Sequence, residues 1–286
     1  MKKDIGKENE QNTPLQVEVV FSDFLLSNNK PLVLIGGPCV IESEEHALLM
    51  AEKISAITKK IKIPFIFKAS FDKANRSSIQ SFRGPGLKKG LKILQKVKTE
   101  FEVPVLSDVH SIEQISEAVK VLDIVQVPAL LSRQTDLIVE IARHDVVVNI
   151  KKGQFLAPWD MKEVINKIES TGNKKIMLTE RGTSFGYNNL VSDMRSLVVM
   201  KDFGYPVVYD ATHSIQIPGG LGCASGGESR FIPFLSKSAV AIGIAALFME
   251  IHDNPAAAKC DGSNSLHIDD LQNVLEIVKK IDRLVK

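Results

Sequence analysis

Eight short, largely apolar runs recur along this chain, each followed by a polar turn and then a helical pattern. They are Leu32–Ile35, Pro64–Phe67, Val103–Leu106, Asp123–Val127, Val146–Ile150, Lys175–Leu178, Pro206–Tyr209 and Val240–Phe248. Strands that are apolar almost throughout must be buried on both faces, and intervening helices supply the cover. Helical spacing is present between the runs: Leu48, Ala51, Ile54 and Ile57, then Leu87, Leu91 and Leu94, and finally Ile268, Leu271, Leu275 and Val278. Ser111 to Gln114 and Asp160 to Glu163 have the form of capping boxes. Eight such units in about 250 residues predict an α/β protein with a (β/α)8 TIM barrel. A doubly wound open sheet is the alternative. No Gly-x-Gly-x-x-Gly follows the first run, so a dinucleotide site is not supported.

Residues 1–14 are charged and amide-rich and end at Pro14, which predicts a disordered tail. From 15 to 286 there is no linker or low-complexity insert, so one catalytic domain is expected. Val17 to Phe21 alternates in polarity and is expected to form a small β-hairpin arm plugging the barrel bottom. The net charge of +2 leaves no whole-protein field for nucleic acid or acidic membranes, so anion binding must be local. Met1 to Asn12 lacks an apolar signal core, and Ala239 to Met249 is too short to span a bilayer. The three cysteines, Cys39, Cys223 and Cys260, are widely spaced and odd in number. A reducing, cytoplasmic setting follows, without a membrane partner.

In such a barrel the chemistry sits at the carboxyl ends of the strands. Here every run leads into polar residues. Lys68 opens the block Lys-Ala-Ser-Phe-Asp-Lys-Ala-Asn-Arg-Ser-Ser (68–78), where cations interleave with hydroxyls and an amide, a composition suited to phosphate. Lys68, Lys73, Lys151 and Arg181, with Arg76, form a cationic set. It would repel itself unless an anion sat within it, or unless several cations paired with Asp72, Asp108 and Glu180. Cys39, His213, Glu250 and Asp261 form a second set, a thiolate, an imidazole and two carboxylates suited to Fe, Zn, Mn or Co. Pro218 to Gly227 reads as a mobile lid.

These residues lie within ordered motifs: Gly-Pro-Cys-Val-Ile-Glu-Ser (37–43), the 68–78 block, Arg-Gly-Pro-Gly (83–86), Ser-Asp-Val-His (107–110) and Arg-Gln-Thr-Asp (133–136). Asn-Ile-Lys-Lys-Gly-Gln-Phe (149–155), Thr-Glu-Arg-Gly-Thr (179–183), Phe-Gly-Tyr-Asn-Asn-Leu (185–190), Tyr-Asp-Ala-Thr-His (209–213) and Gly-Gly-Leu-Gly (219–222) continue the series. From about Leu32 onward the chain resembles the 3-deoxy-D-manno-octulosonate 8-phosphate (Kdo 8-phosphate) synthases of lipopolysaccharide biosynthesis. The resemblance implies a transferase on a (β/α)8 barrel, usually a homotetramer. Such an enzyme condenses phosphoenolpyruvate with arabinose 5-phosphate and water, giving the eight-carbon acid phosphate and inorganic phosphate. It places Lys73, Lys151 and Arg181 on phosphoenolpyruvate, with Lys68 and Gln126 nearby. Asn75, Arg76 and Ser77 fall on arabinose 5-phosphate, Asp108 faces its hydroxyls, and Arg133 reaches its phosphate from a neighbouring subunit. His213 joins the catalytic set and, with Cys39, Glu250 and Asp261, matches the ligands of the metal-dependent branch. Cysteine at position 39 marks that branch, whereas Cys260-Asp261-Gly262 is similar to a motif of the metal-independent one. The sister synthase using erythrose 4-phosphate typically has Lys-Pro-Arg-Thr-Ser where this chain has Lys73-Ala-Asn-Arg-Ser77, so Asn75 discriminates against it. A non-catalytic sugar-phosphate sensor would not need the complete ligand set.

Overall fold

A computed structural model describes residues 15–76, 78–218 and 226–286. The expected disordered tail, Ser77 and positions 219–225 of the expected lid lie outside the described residues.

Eight parallel strands close on themselves. They are β1 (Val33–Gly37), β2 (Phe65–Lys68), β3 (Val105–Asp108), β4 (Ile124–Val127), β5 (Val147–Lys151), β6 (Ile176–Glu180), β7 (Val207–Asp210) and β8 (Ala246–His252). Each pairs with the next, and β8 returns to β1 with Ala246 opposite Val33 and Glu250 opposite Gly37. The open-sheet alternative is thereby excluded. Helices α1 (Glu44–Ile61), α2 (Leu87–Phe101), α3 (Ile115–Ala118), α4 (Thr135–Ala142), α5 (Met161–Glu169), α6 (Arg195–Lys201), α7 (Ile232–Val240) and α8 (Ile268–Val285) follow the strands in turn.

The strands are apolar on both faces for two separate reasons. Phe65, Val105, Val125, Val148, Leu178, Val207 and Leu247 face outward and pack with the helices. Val33, Ile35, Ile66, Leu106, Ile124, Val147, Met177, Val208 and Phe248 face inward and fill the barrel. Most strands begin a residue or two later than their apolar run, because pairing extends onto the polar residues that follow it. The eighth expectation is corrected more strongly. Val240 closes α7, and a turn through Gly243 (φ +77°) precedes β8 at Ala246. One uninterrupted apolar run there serves a helix end and a strand.

Ser43 caps α1 by accepting from His46 N at 3.1 Å, and Glu44 and Glu45 suit the positive end of that helix. The two expected capping boxes act differently. Gln114 Oε1 accepts from His110 N, and Asp160 Oδ2 accepts from Ala157 N, so each closes a single 3₁₀ turn ahead of its helix. The expected hairpin is present: Val19–Val20 pairs antiparallel with Leu25–Leu26, and Val19 and Leu26 join the inward cluster at the strand starts. Asn28 fastens it to β7, donating to Tyr205 O and accepting from Val207 N, both at 2.8 Å. Among the described residues no helix is long and apolar enough to cross a membrane.

Candidate active site

The inward face of each strand has a period of two. Apolar residues fill its lower positions, and the next inward position upward is polar on most strands. Lys68, Asp108, Gln126, Asn149, Thr179, Asp210 and Glu250 are buried in these upper positions, and Lys151 is buried one inward position above Asn149. Close approach of β1 to β2 starts the arrangement. Gly37 has φ +151°, and a Cβ there would lie 2.1 Å from the Lys68 carbonyl oxygen, so only glycine fits. The chain then turns so that the Cys39 carbonyl accepts from Lys68 Nζ at 2.9 Å.

The four expected metal ligands are brought together. Donor atoms of Cys39, His213 and Glu250 lie within 4.8 Å of one another. His213 Nε2 is 3.6 Å from both Glu250 Oε1 and Asp261 Oδ2, and Cys39 Sγ is 3.0 Å from Asp261 Oδ2. Glu250 Oε2 is buried and has no hydrogen-bond partner among the described residues, as an oxygen awaiting a cation would be. This donor set fits a borderline divalent ion. Burial, followed by the hydrogen bond from Cys260, pushes the Cys39 thiol well above its usual range. For His213 burial acts to lower the pKa, but the Asp210 carboxylate outweighs it and holds the imidazole at about 9. An ion binding here would displace both protons.

The cations are not an unpaired set. Lys68 Nζ meets Glu250 Oε1 at 2.6 Å, and Lys151 pairs with Asp210, with Nζ 3.8 Å above the Phe248 ring. Asp210 Oδ2 also accepts from His213 Nδ1 at 2.7 Å, while Oδ1 takes the Thr212 and His213 backbone N–H groups and the Thr212 hydroxyl. Of the two alternatives the sequence left open for these cations, pairing with carboxylates holds for two of the lysines. Their partners are not those named from sequence. Glu180 points outward, where it accepts from Arg181 N, Gly182 N and Ser196 and lies 3.7 Å from Lys152. Asp72 pairs with Arg83, and Asp108 with Ser70 and His110.

Among the described residues one cation of the set keeps a buried donor open to a ligand. Arg181 Nη2 donates to Gln216 Oε1 at 3.0 Å, but its Nη1 is buried without a partner among the described residues. For Lys73 burial acts to lower the pKa, but its electrostatic surroundings, the Asp108 and Asp261 carboxylates among them, carry it well above its usual value. Gln126 Oε1 accepts from Asn149 Nδ2, and Asn149 Oδ1 accepts from Thr179, a chain across three strands. Asn75 is exposed, and Arg76 donates to Phe82 O and Lys259 O, tying its loop to the segment before Asp261. Arg133 is exposed just before α4, away from the inward layer.

Sequence reasoning did not assign three neighbours. Asp210 orients both Lys151 and His213; its place three residues before His213 at a strand end was the available sign. Cys260 lies with Sγ 2.9 Å from Cys39 Sγ and was legible only as the neighbour of Asp261. Gln216 bridges Arg181 and Asp261 Oδ1, and nothing in its local sequence marks it.

A closed parallel barrel with its ionisable groups gathered at the carboxyl ends of the strands is the arrangement of a barrel enzyme. A model of the DAHP synthetase I family matches residues 8–286, and the chain belongs to that family. Relatives named 2-dehydro-3-deoxyphosphooctonate aldolase from Geotalea uraniireducens, Geobacter metallireducens and Geobacter sulfurreducens are 59%, 58% and 57% identical. Each matches over 269 residues, 94% of this chain and 99% of its own length.

Proposed function

We propose that this chain condenses phosphoenolpyruvate with arabinose 5-phosphate and water, releasing inorganic phosphate and forming 3-deoxy-D-manno-octulosonate 8-phosphate for lipopolysaccharide biosynthesis. The observation that carries this reading is the buried, unpartnered Arg181 Nη1 beside a cluster of thiol, imidazole and carboxylates on one barrel rim. An anion would satisfy the first, and a divalent ion the second.

Lys73, Lys151 and Arg181 hold phosphoenolpyruvate, with Lys68 and Gln126 lining its pocket. Asn75, Arg76, Ser77 and Asp108 take the aldose phosphate, and Arg133 of a neighbouring copy in a homotetramer reaches its phosphate. The enol carbon attacks the aldehyde, whose oxygen takes up a proton, while water adds at C2, where positive charge develops; the new C2 hydroxyl then collapses to the ketone as the C2–O bond to phosphate breaks and inorganic phosphate leaves. Clamping two anions turns an encounter that charge opposes into a positioned one. Cys39, His213, Glu250 and Asp261 hold the divalent ion, which supplies polarisation of the aldehyde or acidification of water. Asp210 keeps His213 in the tautomer with Nε2 facing the other ligands, and Lys68 fixes Glu250.

Phosphate release is measured with phosphoenolpyruvate and either arabinose 5-phosphate or erythrose 4-phosphate. Turnover with the five-carbon sugar alone is expected; preference for erythrose 4-phosphate would reassign the chain to its sister activity. Strong chelation should abolish turnover, and added Mn²⁺, Co²⁺ or Zn²⁺ should restore it. Full activity in demonstrably metal-free protein would remove the metal from the reading.

A further inference from the structure

Asp261 reaches the ligand cluster from an irregular segment between β8 and α8. Two 3₁₀ turns, Pro255–Ala257 and Gly262–Asn264, flank the stretch 258–261. They pack closely: a Cβ on Gly262 would lie 2.1 Å from the Pro255 carbonyl oxygen. Asp261 itself has φ +52°, a left-handed backbone that its surroundings must maintain. Gln216 Nε2 holds the Asp261 side chain at Oδ1. The backbone just before it is held from outside the segment, at Lys259.

Lys259 N donates to Glu42 Oε1 at 2.8 Å, and Lys259 O accepts from Arg76 Nη2 at 2.7 Å. Glu42 lies three residues after Cys39, in the segment that leads into α1. A second donor fixes its carboxylate. Asn254 N donates to His252 Nδ1 at 2.9 Å, which leaves the imidazole proton on Nε2. That N–H faces Glu42 Oε1 at 3.3 Å. One carboxylate oxygen therefore joins the end of β8 to the segment beyond it, and hydrogen bonds to a charged acceptor are the stronger kind. On the other side, Arg76 Nε donates to Phe82 O at 3.2 Å, and Lys259 Nζ lies 4.6 Å from the Phe82 ring centroid. The loop after β2 and the segment after β8 are thus fastened together at the backbone of Lys259.

We propose that Glu42 is a positioning residue, which sets both the metal ligand Asp261 and the aldose-phosphate ligand Arg76 through the backbone of Lys259. This rests on the ligand and substrate assignments made above. Loss of the acceptor frees Lys259 N–H and lets 258–261 relax, which carries Asp261 away from Cys39 and His213. The same movement displaces Lys259 O, the group that orients the Arg76 guanidinium. Reach matters more here than charge. Glutamine keeps an oxygen at the same distance from the backbone, whereas aspartate keeps the charge and withdraws the acceptor by one carbon.

Metal-stripped full-length protein is titrated with Co²⁺ against a chelator of known affinity, and the KM for each substrate is measured at saturating metal. In Glu42→Ala the Co²⁺ affinity should fall about tenfold, and the KM for arabinose 5-phosphate should rise while that for phosphoenolpyruvate holds. Glu42→Asp should shift both readings in the same direction, and it serves alone if the alanine variant does not fold. Glu42→Gln should restore both. Asn28→Ala, which loosens the opposite end of the barrel, should leave Co²⁺ affinity unchanged and so separates positioning from a general loss of stability. Wild-type Co²⁺ affinity and aldose-phosphate KM in folded Glu42→Asp and Glu42→Ala overturn the proposal, as does a glutamine variant as impaired as the alanine one. If the wild type binds no Co²⁺, the metal reading fails by itself and the KM measurement still decides the role of Glu42. If the substrates are misassigned, the Co²⁺ titration decides it.

Discussion

Asp210→Asn tests the core of the site most directly. Asp210 is fully buried, and its two oxygens have different duties. Oδ1 holds the turn after β7 through Thr212 N, Thr212 Oγ1 and His213 N, whereas Oδ2 faces Lys151 Nζ and His213 Nδ1. An asparagine can keep its oxygen toward the turn. Its amide N–H₂ then stands against an ammonium and an imidazole N–H, donor against donor, and the compensating charge is gone. Two charge-assisted hydrogen bonds are lost and a buried cation is left uncompensated, a cost of about 3–5 kcal/mol. The ligand His213 also loses the group that fixes its ring, so metal affinity should fall about 10- to 100-fold. Denaturant unfolding of metal-stripped protein reads the first quantity, and competition with a chelator of known affinity reads the second. A loss below about 1 kcal/mol with unchanged metal affinity would refute the role assigned to Asp210.

Other perturbations follow from the same contacts. Gly37→Ala places a Cβ 2.1 Å from the Lys68 carbonyl at φ +151° and should cost about 3 kcal/mol or more; a wild-type unfolding midpoint would contradict the close-approach argument. Asn28→Ala strips the partners from Tyr205 O and Val207 N and should destabilise by roughly 2–4 kcal/mol, with amide exchange increasing first in the hairpin; exchange unchanged there would show that the side chain is not the fastening. Gln216→Ala releases Arg181 and Asp261 together, so the KM for phosphoenolpyruvate should rise about tenfold with a smaller change in kcat; an unaltered KM would count against Arg181 as its anchor.

Much of this protein was legible in one dimension. Eight apolar runs separated by helical spacing required a parallel sheet with covered faces, since no other arrangement buries both sides of so many short strands. Polar residues just beyond those runs marked the rim, and Cys39, His213, Glu250 and Asp261 do meet there. Local periodicity carries that information because burial acts on each element separately. It also has a blind spot, as at Val240–Phe248, where helix end, turn and strand share one apolar run.

Which polar groups touch could not be read this way. Lys68 meets Glu250 across 182 residues, and Cys39 meets Cys260 across 221. Those pairings depend on barrel closure and on the register of β8 against β1, neither of which leaves a local trace. The same closure turned a supposed excess of rim cations into neutralised pairs. Among the described residues it left Arg181 Nη1 and Glu250 Oε2 unmatched. Sequence alone determined a parallel sheet of eight covered strands and the types of chemical group at their ends. Tertiary structure decided which charges cancel and which remain open to a ligand, because in a buried layer contacts a few ångströms long outweigh any pattern along the chain.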